Sequence, residues 1–336
     1  LIQAAKQSYS EHKPFCLVRF PGEKHIFFGY ASKTKPTSQD FFIAKGWDAN
    51  SEAVYYAKQA PSSGVIREVL TSNQSIKETD FKDYTAQFKN YLEHFEKRQI
   101  QKAILSRLKL VAKPERFDPF DTYERACLAY PETLAYIMSH PTEGLWLGAS
   151  PEILLQKRAR WKTVSLAGTQ PVKNTGYIWG VKEQREQELV SVHLRKTLSQ
   201  LRATNILESA VETATSGAVA HLKTFFEFDS DKKIHEILES LHPTPAIAGL
   251  PVDKAIELIS ETERHQRRLY TGYLGRISRE KVDLYVNLRC MQIFESELGL
   301  YLGGGITAQS NLESEWDETE MKAQTLLKIT HGKKEN

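Results

Sequence analysis

The sequence predicts an α+β fold built on antiparallel sheets. Predicted strands come in runs, and predicted helices stand in separate blocks instead of alternating with single strands. The 336 residues, 40% hydrophobic and 26% charged, supply core enough for one large domain.

Near the N-terminus "FCLVRF", a turn at "PGEK" and "HIFFGYAS" predict a hairpin. Residues 79 to 98 place Phe81, Tyr84, Phe88, Leu92 and Phe95 at helical spacing behind a Thr79/Asp80 cap. "QKAILSRLKLVA", residues 101 to 112, predicts a strand. From 134 to 168 come short strands broken at "HPTEG" and "KRAR" and ending in "SLAGT". Helices are expected over about 183 to 203 and, just after Pro251, over 252 to 268. "YTGYLGRIS", "KVDLYVNLRCMQIF" and "LGLYLGGGIT" form a second meander, and a last helix covers about 311 to 330. Two meander-plus-helix blocks suggest an internal duplication. No linker divides the chain. Residues 1–90 carry no motif and read as the N-terminal part of one continuous domain, with the chemistry in 91–333.

A net charge of +3, from 45 basic and 42 acidic residues, leaves no electrostatic footprint for nucleic acid. No apolar run approaches the roughly 20 residues of a membrane span. The opening "LIQAAKQSYSEHK" lacks the apolar core of a signal peptide. Cys16, Cys127 and Cys290 are odd in number and lack metal-ligand spacing, so a cytoplasmic protein is expected.

Several features point to chemistry. In the 101–112 strand, parity puts Lys102 on the face of Ile104, Ser106, Leu108 and Leu110, with Arg107 and Lys109 opposite. An ammonium on an apolar face loses its water and needs a reason to be there. In the helix near 183, Glu183 and Glu186 extend the stripe Val190, Leu194, Leu198, Leu201. In the last helix Glu315, Lys322, Leu326 and Ile329 follow one line with Glu318 beside it, behind a Ser310/Glu313 capping box. A lone E-x-x-E pair is commonly a solvated helix face. Two such pairs in line with apolar stripes suit Mg²⁺, since all four donors are oxygen, and Mg²⁺ keeps positions open for an anionic substrate. Lys322 stands ready for another part of that anion.

Arg289 shares a strand face with Tyr285 and Asn287, where it suits a carboxylate or, equally, a structural ion pair. "GGGIT" permits close backbone approach or a plain turn, and His242 sits in the stiff "HPTPAIAG". Glu152 opens an apolar strand, where a carboxyl stays protonated and serves as an acid.

In order, "KAILSR", "LGASPEILL", "LAGT", "KEQREQELV", "HPTPAIAG", "RRLYTGYLG", "LRC", "GGGIT" and "EWDETEMK" resemble the chorismate-utilising enzymes, most closely the isochorismate synthases. The resemblance runs from about residue 95 to the C-terminus. It implies a single domain of two packed antiparallel-sheet-plus-helix halves around a Mg²⁺ site, with chorismate as substrate. By motif, Glu186 and Glu318 resemble the direct metal ligands, with Glu183 and Glu315 nearby or acting through water. Arg289, Lys322 and Tyr270 resemble the binders of the pyruvyl carboxylate, helped by backbone at Gly303 and Gly305. His242 and the Gly168–Thr169 stretch resemble the lining of the ring pocket. Gln187 stands where the family usually has His.

Ammonia-using anthranilate synthases typically have Gln in place of Lys102, and aminodeoxychorismate synthases a nucleophilic Lys in place of Ala167. The pair found here matches the water-using branch, which implies Lys102, kept neutral by desolvation, as general base and Glu152 as acid. A monomer without a glutaminase subunit is expected. Salicylate synthase, which eliminates pyruvate from isochorismate, is the alternative; an ammonia-using subunit or an inactive scaffold fits the motifs less well.

Overall fold

The computed structural model describes residues 1–31, 40–47, 51–57, 76–172, 176–216 and 219–331. The strands are β1 (Phe15–Arg19), β2 (Ile26–Ala31), β3 (Phe41–Lys45), β4 (Glu52–Ala57), β5 (Lys102–Ala112), β6 (Leu134–His140), β7 (Gly144–Ser150), β8 (Ile153–Lys157) and β9 (Trp161–Pro171). They continue as β10 (Thr204–Glu208), β11 (Glu212–Ser216), β12 (Val219–Asp229), β13 (Gly249–Leu250), β14 (Tyr273–Ile277), β15 (Val282–Val286), β16 (Cys290–Ile293) and β17 (Glu297–Ile306). The helices are α1 (Ile2–Ser10), α2 (Phe81–Arg98), α3 (Pro119–Ala129), α4 (Val181–Gln200), α5 (Ile234–Leu241), α6 (Val252–Thr262) and α7 (Leu312–Thr330).

The first hairpin forms as its turn chemistry dictates: Gly22, at φ 68, takes the left-handed turn position and β1 pairs antiparallel with β2. Every strand pairing is antiparallel, and the pairings divide the strands into two halves. One half runs β13-β5-β17-β16-β7-β6-β1-β2. The other runs β3-β14-β15-β8-β9-β12, with β10 and β11 on β12. Strand β4 pairs with both β2 and β3 and joins them. The suggested duplication of consecutive blocks is not what the pairing shows. Each half draws strands from both ends of the sequence, because register is set by partners far apart in the chain.

Between the halves lies a core of Val18, Phe20, Tyr136, Trp146 and Tyr301 from one and Phe42, Leu274 and Tyr285 from the other. Full burial of side chains this size is worth roughly 1.5–3 kcal/mol each before entropy is counted. The outer face of the first half buries Leu17, Ile137 and Leu300 under α1, α3 and α7. The second half buries Leu155, Phe226 and Leu284 under α4 and α5. Helices α2 and α6 cover Ala103 and Leu105 of β5. The parity expected of β5 therefore holds: Leu108 packs between the halves, and Lys102 shares its face. Arg107, opposite, lies under α7 against the Trp316 ring and the Thr319 hydroxyl.

Three local expectations are corrected. Helix α6 ends at Thr262 instead of 268, because the backbone turns extended at Glu263, whose carboxylate is engaged elsewhere. The last helix is capped by Asn311, whose Oδ1 accepts from Ser314 N at 3.0 Å; Ser310 instead donates to Glu315. Arg289 is not on a strand face with Tyr285: β15 stops at Val286, and Arg289 takes φ 47 before β16 begins. Among the described residues, no helix is long and apolar enough to cross a membrane.

Candidate active site

Just before its last residue, Ile306, strand β17 carries Gly303, Gly304 and Gly305, paired with Ser106, Leu105 and Ile104 of β5. A Cβ at Gly303 would stand 2.9 Å from the Tyr270 hydroxyl, and one at Gly304 would stand 3.3 Å from Glu315 Oε2. At Gly305 it would stand 2.5 Å from Cε of Lys102. Three consecutive missing side chains thus leave room for a phenol, a carboxylate and an ammonium from three other segments. Gly168, at φ +67, does the same for the first turn of α4, where an added Cβ would meet Glu183 at 3.0 Å.

These groups converge on one pocket. Its lining includes Lys102 and Glu152, Gly168 and Thr169, Glu183 and Glu186 from α4, Tyr270, Arg289, and Glu315, Glu318 and Lys322 from α7. Lys102 is only 4% exposed, and its Nζ lies 3.5 Å from Glu186 Oε2. Lys322 donates to Glu318 at 2.6 Å and to the Gly303 carbonyl at 2.8 Å. Lys182 reaches Glu315 at 3.4 Å. Burial, reinforced by the neighbouring Glu318 charge, pushes the Glu315 carboxyl up. Burial also pulls on Glu318, but the Lys322 charge and hydrogen bond outweigh it and hold that carboxyl low.

Glu152 is buried, and burial raises its pKa to about 7 against the partial opposition of Arg289, Lys102 and Lys322. A carboxyl whose pKa is raised therefore shares the pocket with Glu318, whose carboxyl is held low. The Arg289 Nε is buried with no hydrogen-bond partner among the described residues. A guanidinium donor left unmade is costly, and a ligand carboxylate would complete it.

His242 does not line the pocket. Its Nε2 bonds the Thr271 carbonyl at 2.9 Å, and the ring faces a separate cleft beside Tyr273. Its place is taken by His221, which sequence reasoning missed. The His221 Nδ1 lies 3.1 Å from the Gly168 carbonyl and 3.3 Å from the Thr169 hydroxyl. Burial, with Arg289 and Lys322 nearby, lowers its pKa to about 3, so the ring is neutral. Because a carbonyl only accepts, Nδ1 carries the proton and Nε2 is left as an acceptor. Lys182, Thr271 and the apolar wall of Ile104, Leu166, Ile247 and Leu288 were also missed. Gln187 turns away from the pocket and donates to Ser165 O at 3.2 Å and Thr224 Oγ1 at 3.1 Å, tying α4 to β9 and β12.

Among the described residues, no three acidic, histidine or cysteine side chains are gathered into a ready-made metal cluster. Three of the four glutamates instead take a lysine. The donor set still fits Mg²⁺ in chemistry: all ligands are carboxylate oxygens, and the strain between Glu315 and Glu318 is what a divalent cation relieves.

An interleaved two-half antiparallel fold thus gathers a buried carboxyl, a buried lysine, a guanidinium whose Nε has no partner among the described residues and a cluster of glutamates into one pocket. The chain belongs to the chorismate binding enzyme family, which it matches over residues 23–331. That match extends well into the N-terminal part that carried no motif. The isochorismate synthase EntC of Escherichia coli K12 is 30% identical over 244 residues, which are 69% of this chain and 62% of that protein. The chain thus aligns with under two thirds of that relative's length. The solved structure of DhbC from Bacillus anthracis superposes with TM-score 0.78 at 20% identity, covering 97% of this chain and 99% of that one. The menaquinone-specific isochorismate synthase MenF of Escherichia coli gives TM-score 0.77 at 19% identity, covering 95% and 89%. At those identities the structural likeness establishes the fold.

Proposed function

We propose that this protein is an isochorismate synthase, interconverting chorismate and isochorismate. The observation that carries the proposal is the juxtaposition of a buried Glu152, its pKa raised to about 7, with Lys102 in one pocket, beside an Arg289 whose buried Nε lacks a partner among the described residues. Arg289, Lys322 and Tyr270 hold the substrate carboxylate. Lys102 takes a proton from water attacking ring C2. The double bond shifts, the C4–O bond breaks, and Glu152 gives its proton to the departing hydroxyl, which leaves as water. Water is consumed and released, so the reaction is an isomerisation. Glu186 Oε2 lies 3.5 Å from the Lys102 Nζ.

Glu186 and Glu318, with Glu183 and Glu315 beside them, would hold a Mg²⁺ ion, which supplies neutralising charge for the substrate carboxylate. Ala167 lines the pocket and offers no nucleophile, which supports water over an amine route. Three unbridged cysteines, Cys16, Cys127 and Cys290, suit a reducing cytoplasm.

The test is to incubate the purified chain with chorismate and Mg²⁺, without ammonia or a partner subunit, and identify the product. Isochorismate supports the proposal, whereas fluorescent salicylate would move it to salicylate synthase. No conversion would overturn it. Activity should vanish with a chelator and return with Mg²⁺, and Glu186→Gln and Glu318→Gln should each fold yet lose metal-dependent turnover.

A further inference from the structure

Strand β5 carries Lys102 into the pocket, yet one of its edges has almost no strand beside it. On one side β17 pairs along its length. On the other, β13 covers only Lys102 and Ala103, and the Ile104 N–H finds the Ala248 carbonyl at 2.8 Å. Beyond that point side chains take the place of a strand. Arg267 Nη2 donates to the Ile104 carbonyl at 2.9 Å, and Glu263 Oε1 accepts from the Ser106 N–H at 2.7 Å. Farther along, Thr79 resumes backbone pairing with Leu108.

The two substitutes are locked to each other. Arg267 Nε and Nη2 donate to the two Glu263 oxygens at 2.8 and 2.7 Å, and the side chains are 2% and 3% exposed. The Trp47 ring lies 4.5 Å from the guanidinium carbon. Arg267 Nη1 donates to the Ile247 carbonyl at 2.8 Å and lies 3.5 Å from Thr271 Oγ1. Ile104, Ile247 and Thr271 all line the pocket, while Arg267 and Glu263 do not. A buried ion pair of this kind is often no more stabilising than an apolar pair of the same size, so stability alone is a weak reason for it.

We propose that Arg267, held by Glu263, is a positioning residue for Lys102. It fixes the backbone of β5 against the walls formed by Ile247 and Thr271, and so sets where the Lys102 ammonium lies. The inference rests on Lys102 being the base, as proposed above. A misplacement of about 1 Å in a reacting group can cost on the order of 100-fold in rate.

The test is the double variant Glu263→Gln/Arg267→Met, which keeps an acceptor for Ser106 and removes the guanidinium with its charge partner. It should keep a melting temperature near that of the wild type and a KM for chorismate within about threefold, while kcat falls roughly 10–100-fold. In a Lys102→Ala background the same double change should cost nothing further, because its effect passes through Lys102. A folded double variant with wild-type kcat overturns the inference, and so does an undiminished loss in the Lys102→Ala background. Were Lys102→Ala itself fully active, the assignment of the base would fail instead, and the two failures are told apart. Should the double variant not fold, Arg267→Lys decides: it keeps the charge for Glu263 but cannot span both carbonyls. It should show the same kcat loss at unchanged KM, and wild-type kcat there overturns the inference.

Discussion

Two of the polar clusters buried in this protein are built to different standards. Glu143 itself is fully engaged: Ser51 donates to its carboxylate at 2.7 Å and Arg268 at 3.0 Å, while Trp146 and Gln292 donate to its carbonyl. Tyr301 closes the cluster on Gln292 at 3.1 Å. In the pocket Lys322 is held tightly, at 2.6 Å from Glu318, but other contacts are looser. Lys102 and Lys182 stand 3.5 and 3.4 Å from their glutamates, and Arg289 Nε has no partner among the described residues. The first network is complete and holds the sheet together. The second leaves a donor unmet among the described residues, and an unfinished network of this kind suits a binding site better than a structural one.

The largest effect should come from the pocket. Lys102→Ala should lower kcat by about 10²–10⁴-fold while substrate still binds, measured by steady-state conversion of chorismate. Lys102→Gln should abolish hydroxyl transfer, and near wild-type conversion by it would make Lys102 a structural lysine of the first kind. Next, Arg289→Ala should mainly raise KM, by on the order of 2–5 kcal/mol, and Arg289→Lys should not fully restore it, since a point charge lacks the planar fork. Unchanged KM in both variants would place Arg289 among the structural groups.

Glu152 gives an effect of opposite sign on stability. Its pKa is raised from 4.5 to about 7, so the folded state holds this proton more tightly than the unfolded chain does. That contribution is fully present below pH 4.5 and is lost as pH rises to about 7. Glu152→Gln should therefore lose catalysis yet be more stable at pH 8, by up to about 3 kcal/mol, with no gain at pH 4 in denaturant titrations. Wild-type activity should correspondingly fall as pH rises through about 7 and the acid loses its proton. The smallest change belongs to the complete network: Ser51→Ala should cost about 2 kcal/mol of stability and leave kcat unaltered. A drop in kcat there would show that the two clusters are coupled.

Much of the pocket was legible in the sequence because its signals are periodic. Parity exposed Lys102, and three- and four-residue steps exposed Glu183, Glu186, Glu315 and Glu318. His221 was not, although "VAHLKTFFEF" alternates as a strand does. Its position depends on β12 pairing with β9, which sets His221 opposite Thr169. That register is a long-range fact with no local trace. His242 drew attention by standing among prolines, a local feature that fixes backbone but says nothing about which cavity the ring faces. Arg289 was right in its destination and wrong in its route, since parity fails once a residue takes φ 47 between two strands.

The two halves of the sheet are woven from a chain that passes between them repeatedly, from β2 to β3, from β4 to β5, from β7 to β8, from β12 to β13 to β14, and from β15 to β16. Neither half is a contiguous piece of sequence, so neither is available to a truncated chain. Several pairings, β1–β6, β5–β13, β5–β17, β3–β14, β8–β15 and β7–β16 among them, close long loops, and such pairings form slowly because the entropy of closure is spent before contacts reward it. Lys102 and the α7 glutamates, more than 200 residues apart in the chain, meet through the β5–β17 pairing. Refolding should therefore restore spectroscopic helix content well before it restores turnover, and the lag between the two would time the weaving of the halves.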